Sequence, residues 1–330
     1  MPYVLGVDIG ATWLRVALAD EKGRIIDRAK ERTPKKGEPE LISKIIINVV
    51  EQLMKKNNVE KIEAIGVGSI GPMDLNKGIL TKPANIDIEN IPIVDPLSER
   101  FKAPTYLVND CTAGVVGEKV FGLGKETDNL VYITLSSGIG GGAIVDGNLL
   151  FGKDGNAVEI GHTVVDMEGK LKCGCGAYGH WEAYASGVNI PRFAKLLIEE
   201  KFGIESFKKS VLYKKTKGDI NAITSEMVYT SAKEGDELAL KITREIGRIN
   251  AIGFANATNV YDPELITVGG SIALKNVELV IKPIQENIEK YLVNRKPRIE
   301  ITPLGDDIVL YGAIALALHP EFIPDRFKKF

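Results

Sequence analysis

Cysteine and histidine are scarce in this chain of 330 residues, with three of each. Three cysteines cannot form a disulfide framework, and a sparse, odd count fits a reducing compartment. An excess of charge is also lacking, since 42 basic against 44 acidic residues leave a net −2. That balance gives no basic footprint for nucleic acid and no polybasic patch for a membrane surface. Long apolar runs are missing too. Stretches such as Ile45–Ile47 and Ala313–Leu318 fall far short of the roughly 18 residues that span a bilayer. Residues 1–20 have no basic segment ahead of their apolar stretch, and Asp8 and Arg15 interrupt it, so no secretory signal is read there. The expectation is a cytoplasmic protein with no nucleic-acid and no membrane partner.

Glycine is plentiful. The 34 glycines are about a tenth of the chain, against an average of roughly 7%, which suits tight turns and close backbone approach to a ligand. The length suggests about two domains at roughly 150 residues each. Apolar segments Tyr3–Asp8, Trp13–Leu18 and Gly23–Ile26, split by Gly10-Ala11-Thr12 and Glu21-Lys22-Gly23, read as a β-meander. The same order returns at Asn129–Leu135, the Gly-rich turn Ser136–Gly142, Ala143–Val145, the Asp146-Gly147 hairpin and Asn148–Phe151. A repeated order of this kind predicts two related domains.

After each meander the pattern mixes. Residues 38–57 have helical spacing, with Leu41, Ile45, Val49 and Leu53 on one face. Lys61–Ile70 and Ala103–Val108 read as strands, and Ala113–Phe121 as a helix. Later, 235–259, Val277–Tyr291 and Ile308–Leu318 read as helices, Leu265–Val268 and Ile299–Thr302 as strands, and the Lys- and Ser-rich stretch 205–222 as a surface excursion. Alternating strands and helices predict an α/β fold with mostly parallel central strands.

Three sets of residues could carry chemistry. Gly138-Ile-Gly140-Gly-Gly142-Ala143 formally matches a dinucleotide fingerprint, but a strand follows where that motif needs a helix. Glycine turns between strands can instead offer bare N–H groups to phosphate. Asp8-x-Gly10-x-Thr12 adds a carboxylate and a hydroxyl that suit Mg²⁺ and phosphate, although either turn could equally be a plain hairpin. His162, Cys173, Cys175 and His180 lie within 19 residues and form a Cys₂His₂ set suited to tetrahedral zinc; the alternative is free thiols beside unrelated histidines. Asp110, at a strand's C-terminal end and ahead of a helix, occupies a usual ligand-facing place, or is simply the helix N-cap. Glu159 and Glu182 flank the Cys/His group as possible supporting carboxylates.

In order along the chain, Asp8-Ile-Gly-Ala-Thr-Trp-Leu-Arg15, Asn109-Asp110, Leu135-Ser-Ser-Gly-Ile-Gly-Gly-Gly142, Glu159-Ile-Gly-His162, Cys173-Gly-Cys-Gly-Ala-Tyr-Gly-His-Trp-Glu182, Val268-Gly-Gly-Ser271 and Leu304-Gly-Asp-Asp307 resemble the ROK family (repressors, open reading frames and sugar kinases) of the actin-like ATPase superfamily. The resemblance runs from about residue 3 to 318. It implies two actin-like (ribonuclease H-like) domains with a central cleft, one over 1–112 completed by a C-terminal helix within 306–330, the other over 113–305 and carrying the zinc loop. It implies an ATP-dependent kinase acting on the primary hydroxyl of a hexose, glucose first, with N-acetylglucosamine or N-acetylmannosamine as alternatives. The family's sugar-sensing repressors carry a DNA-binding segment ahead of the first motif, which is not read here.

By the same resemblance, Asp8, Gly10, Ala11, Thr12, Ser137, Gly138, Gly140, Gly269 and Gly270 would bind ATP with Mg²⁺. Asn109, Asp110, Glu159, His162 and Glu182 would bind the sugar, with Asp110 as base, and His162, Cys173, Cys175 and His180 would hold a structural Zn²⁺. A homo-oligomer, dimer or tetramer, is implied as well. The chain departs from the family at three places: Ala11 replaces a glycine, His180 stands where a third cysteine is usual, and Ile70-Gly71 replaces a Pro-Gly turn.

Overall fold

The structure is a computed structural model and describes residues 2–83 and 85–328. Strands β1 (Tyr3–Ile9), β2 (Trp13–Asp20) and β3 (Ile25–Arg32) form the first meander. β4 (Ala64–Ser69) and the strand Thr105–Asn109 extend it to a five-stranded sheet in the order β3-β2-β1-β4-(105–109). The meander is antiparallel, whereas β1, β4 and 105–109 run parallel. Val4, Leu5, Val7 and Ile9 are all buried; a near-continuous apolar run of this kind marks a strand covered on both faces.

The second sheet contains Leu130–Leu135, Ile139–Val145, Asn148–Leu149, Leu265–Gly269 and Arg298–Ile301. Its order, (148–149)-(139–145)-(130–135)-(265–269)-(298–301), repeats that of the first sheet strand for strand. The expected Gly-rich turn is shorter than its sequence suggests. Gly140–Gly142 lie inside the strand Ile139–Val145, which leaves Ser136–Gly138 as the turn. The third strand likewise stops at Leu149 rather than continuing to Phe151.

The chain forms two compact units: Met1–Tyr132 with Gly142–Val158 and Thr302–Phe330, and Ile133–Gly141 with Glu159–Ile301. In the first, helix α1 (Leu41–Lys56) buries Ile42, Ile46, Val49, Val50 and Leu53. Leu41 and Ile45, expected on the buried face, are only half-buried. The helix Ile308–Leu318 is apolar almost all round, as a helix enclosed by protein should be. Two glycines admit it. A Cβ on Gly66 of β4 would stand 1.8 Å from the Ala313 carbonyl oxygen, and a Cβ on Gly312 would stand 1.8 Å from that of Ala113 on the helix Asp110–Val120.

In the second unit the helix Glu237–Tyr261 is the longest element, capped by the Asp236 side chain on Ala239 N. The stretch expected as a surface excursion lies at the surface, with about half of its residues exposed, and is held there by a few buried anchors. It forms short helices over Ile204–Lys208 and Val211–Lys215, and Phe207 and Leu212 are fully buried. Among the described residues no helix is long and apolar enough to cross a membrane.

Candidate functional site

The first unit brings Asp8 and Asp110 into electrostatic contact. Asp8 sits near the C-terminal end of β1, register-paired with Arg15 of β2, and is buried. Burial pushes its carboxyl up to about 6, the Asp110 charge acts in the same sense, and Arg15 opposes. Arg15 Nη2 stands 2.5 Å from Asp8 Oδ2, so the buried carboxylate is ion-paired across the two strands. A buried carboxylate beside a glycine turn is the donor type that suits a magnesium ion or its bound water. Arg15 is itself anchored at the start of the helix Ile308–Leu318, where its Nη1 donates to the Asp306 carbonyl at 2.6 Å and to Asp307 Oδ1 at 3.3 Å. Arg28 completes the chain, 2.8 Å from Asp307.

Asp110 is not the helix N-cap. Asn109 is: its backbone is extended, and its Oδ1 accepts from Cys111 N at 2.8 Å. Asp110 is the first helical residue, and one of its oxygens accepts from the same N–H at 2.8 Å. The cap therefore occupies the Asn109 oxygen, leaving its amide nitrogen as a donor, and fixes Asp110 on the first turn, where the helix dipole favours a negative charge.

Gly10, Ala11 and Thr12 belong to the first unit, and the second holds Ser137, Gly138, Gly140, Glu159, His162, Cys173, Cys175, His180, Glu182, Gly269 and Gly270. The turn Ser136–Gly138 closes with Ser136 N donating to Gly138 O at 3.0 Å. Glu182 Oε2 accepts from Ile139 N at 2.9 Å and would lie 2.8 Å from a Cβ on Gly138, so a side chain there would push the Glu182 carboxylate aside. Gly269-Gly270 adjoins the same turn: the Ser136 and Ser271 hydroxyls are 3.2 Å apart. Gly270 has φ +86°, with Leu135 O only 2.5 Å from where a Cβ would be.

His162, Cys173, Cys175 and His180 converge, each offering a ligand atom within 4.8 Å of all the others. Cys173 Sγ is 3.7 Å from His162 Nδ1, and Cys175 Sγ is 3.3 Å from His180 Nδ1. Donors around a tetrahedral ion with bonds of about 2.0–2.3 Å stand roughly 3.3–3.8 Å apart, so the donor types and these two separations fit such an ion. Burial pushes the Cys173 thiol up to about 11. Burial first, then the nearby His162, lowers His180. Bound metal reverses that trend for a thiol by favouring the thiolate.

His162 faces two ways. Its Nδ1 points toward Cys173 while its Nε2 is 3.8 Å from Glu159 Oε2. Burial raises Glu159, Glu182 adds to the rise and His162 opposes it. The Cys/His loop is anchored by Trp181, which is fully buried with its edge against Phe254. Trp181 Nε1 donates to Asn250 Oδ1 at 2.9 Å. Gly253 makes room for the indole, since a Cβ there would be 2.2 Å from it.

Sequence reasoning assigned no role to Arg15, Asn250 or Gly253. Arg15 is findable in principle, because a tight turn followed by antiparallel pairing sets it opposite Asp8. The helix partners of Trp181 leave no local signal.

A sequence model of the ROK family matches residues 4–319. The glucokinase of Pyrobaculum calidifontis is 39% identical over 100% of this chain and 99% of its own. Among solved structures, a ROK family glucokinase from Streptomyces griseus in complex with glucose and AMPPNP aligns with a TM-score of 0.74 and 32% identity, over 96% of this chain and 99% of that one. The ROK hexokinase from Thermus thermophilus aligns with a TM-score of 0.81 and 27% identity, over 97% and 99%.

Proposed function

The chain belongs to the ROK family, and from that premise we propose that it is an ATP-dependent hexose kinase, phosphorylating the primary hydroxyl of glucose first among hexoses. The observation that carries this reading is its end-to-end likeness to glucokinases, one of them in complex with glucose and AMPPNP.

Phosphoryl transfer asks the protein for alignment and for charge stabilisation more than for covalent chemistry. Asp110 accepts the proton of the attacking hydroxyl; its place on a capped first helical turn supports that role. Ala11 and Thr12, on the turn that Gly10 opens, together with Ser137, Gly138 and Gly140, offer backbone N–H groups to the phosphates, and Gly269-Gly270 lies at the adenosine. Asp8 is the residue that meets magnesium, whose bound charge offsets that of the triphosphate.

Asn109, Glu159, His162 and Glu182 hold the sugar hydroxyls. His162, Cys173, Cys175 and His180 hold zinc, which when bound fixes the loop and the His162 tautomer. The split orientation of the His162 ring, one nitrogen toward Cys173 and the other toward Glu159, supports this positioning role. We further propose a cytoplasmic homo-oligomer, dimer or tetramer.

The experiment is ADP release from ATP with a panel of glucose, mannose, fructose, N-acetylglucosamine and N-acetylmannosamine. Hexose-dependent release, fastest with glucose, is expected. Release independent of sugar would overturn the kinase reading, and a preference for an N-acetylhexosamine would overturn the glucose assignment.

A further inference from the structure

The segment after β3 is stitched onto the turn between β1 and β2. Thr33 is buried; its backbone N donates to Thr12 O at 3.1 Å and its Oγ1 to Gly10 O at 2.7 Å. The Lys35 ammonium donates to the carbonyl between them, that of Ala11. All three carbonyls of Gly10-Ala11-Thr12 are thus drawn to one short strap. Gly10 N is also engaged, donating to Trp13 O at 3.0 Å.

The N–H groups of Ala11 and Thr12 remain. Among the described residues neither donates to a protein acceptor. Tying a turn's carbonyls to one partner fixes its peptide planes and leaves the opposite N–H groups set for an anion, which is how a backbone anion nest works. Lys35 also makes no ion pair among the described residues; Lys36 meets Asp87, while Lys30 and Arg32 lie over the Trp13 ring rather than on a carboxylate. A cation without a carboxylate, held at a turn with two open amides, is an unbalanced positive charge.

We propose that the strap Thr33–Lys35 belongs to the phosphate-donor site, with Thr33 as a positioning residue that presets the turn amides and Lys35 as a cation that attracts the donor's phosphates. The inference rests on the reading of Gly10–Thr12 as a phosphate turn. Removing the Thr33 hydroxyl loosens the nest before the donor arrives, and binding must then order it. Removing the Lys35 charge takes away an exposed electrostatic attraction, which salt screens.

The test is steady-state kinetics on the full chain with ATP and glucose, with adenosine as an inhibitor lacking phosphate. Thr33→Val is expected to raise KM for ATP about fivefold, the scale of one neutral hydrogen bond. KM for glucose and adenosine inhibition stay within about twofold of the parent, a margin below that scale. Thr33→Ser restores the parent KM. Lys35→Gln raises KM for ATP at low salt, and the effect fades near ~1 M salt, where screening acts within about 3 Å.

Equal rises for ATP and glucose, or an unchanged KM for ATP, in folded Thr33→Val overturn the positioning role. A salt-independent or absent effect of Lys35→Gln overturns the charge role, and these two results stand even if Thr33→Val does not fold. Failure of the parent chain to bind ATP by calorimetry overturns the kinase reading and this inference together. Normal ATP binding by every variant overturns this inference alone.

Discussion

Replacing Asp8 by asparagine should make the protein more stable and less active. The buried Asp8 carboxyl is pushed from the ordinary 3.8 up to about 6. A carboxyl that ionises less readily folded than unfolded weakens folding wherever it must carry charge. Below pH 3.8 both states hold the proton and the penalty is absent; it builds between 3.8 and about 6 and is complete above that window. At about 1.4 kcal/mol per decade, ionised Asp8 disfavours the folded state by about 3 kcal/mol at pH 7.5 and by about 1.6 kcal/mol at pH 5. The attraction of Arg15 is already inside these figures, because it opposes the rise.

Asparagine keeps the shape without the charge. Urea unfolding of metal-free, nucleotide-free protein, followed through Trp13 in the same unit, measures the difference. Asp8→Asn should exceed the parent by about 3 kcal/mol at pH 7.5 and by roughly half of that at pH 5, while its ATP turnover collapses. A stability difference that does not change between these pH values, or an Asp8→Asn protein that is less stable at pH 7.5, would refute the reasoning.

The Cys/His group should hold one zinc per chain by elemental mass spectrometry. Chelation or Cys175→Ala should raise KM for hexose more than KM for ATP, and unchanged hexose kinetics in verified metal-free protein would count against a positioning role for the metal. Trp181→Ala should lower unfolding stability by about 3–5 kcal/mol, the usual loss for a large buried aromatic, in a calorimetric transition. A loss under about 1 kcal/mol would show that the indole does not anchor the loop.

The repeated meander was legible because strand, glycine turn and hairpin follow one another closely, and both sheets carry the same strand order. The Cys/His group was legible because its four members are close in sequence and of scarce types. The phase of α1 was not. Ile45, Ile46 and Ile47 are consecutive, so helical periodicity fits more than one face, and only packing selects Ile42 and Ile46.

The composition of 205–222 showed its surface position but not its short helices. Two buried side chains, Phe207 and Leu212, hold it down. Side-chain oxygens cap its short helices, among them Ser210 on Tyr213 N and Asp236 on Val211 N. The Asp110 cap was displaced by one residue, since Asn and Asp are near-equal caps and the pair Asn109-Asp110 does not say which takes the extended backbone. Arg15 was legible in principle, since the tight β1–β2 turn sets it opposite Asp8, whereas Thr33 acts on Gly10 from beyond β3, through a contact that spacing alone does not give.

Identification of the phosphorylated product made by the parent chain and by Asp110→Asn, with glucose binding measured alongside, tests the central claim most directly. The account predicts glucose 6-phosphate from the parent, and from Asp110→Asn intact glucose binding with a rate lowered far more than tenfold. Product from Asp110→Asn at a rate within about tenfold of the parent, a barrier change of only about 1.4 kcal/mol, or no sugar phosphate from the parent with any hexose, would contradict it.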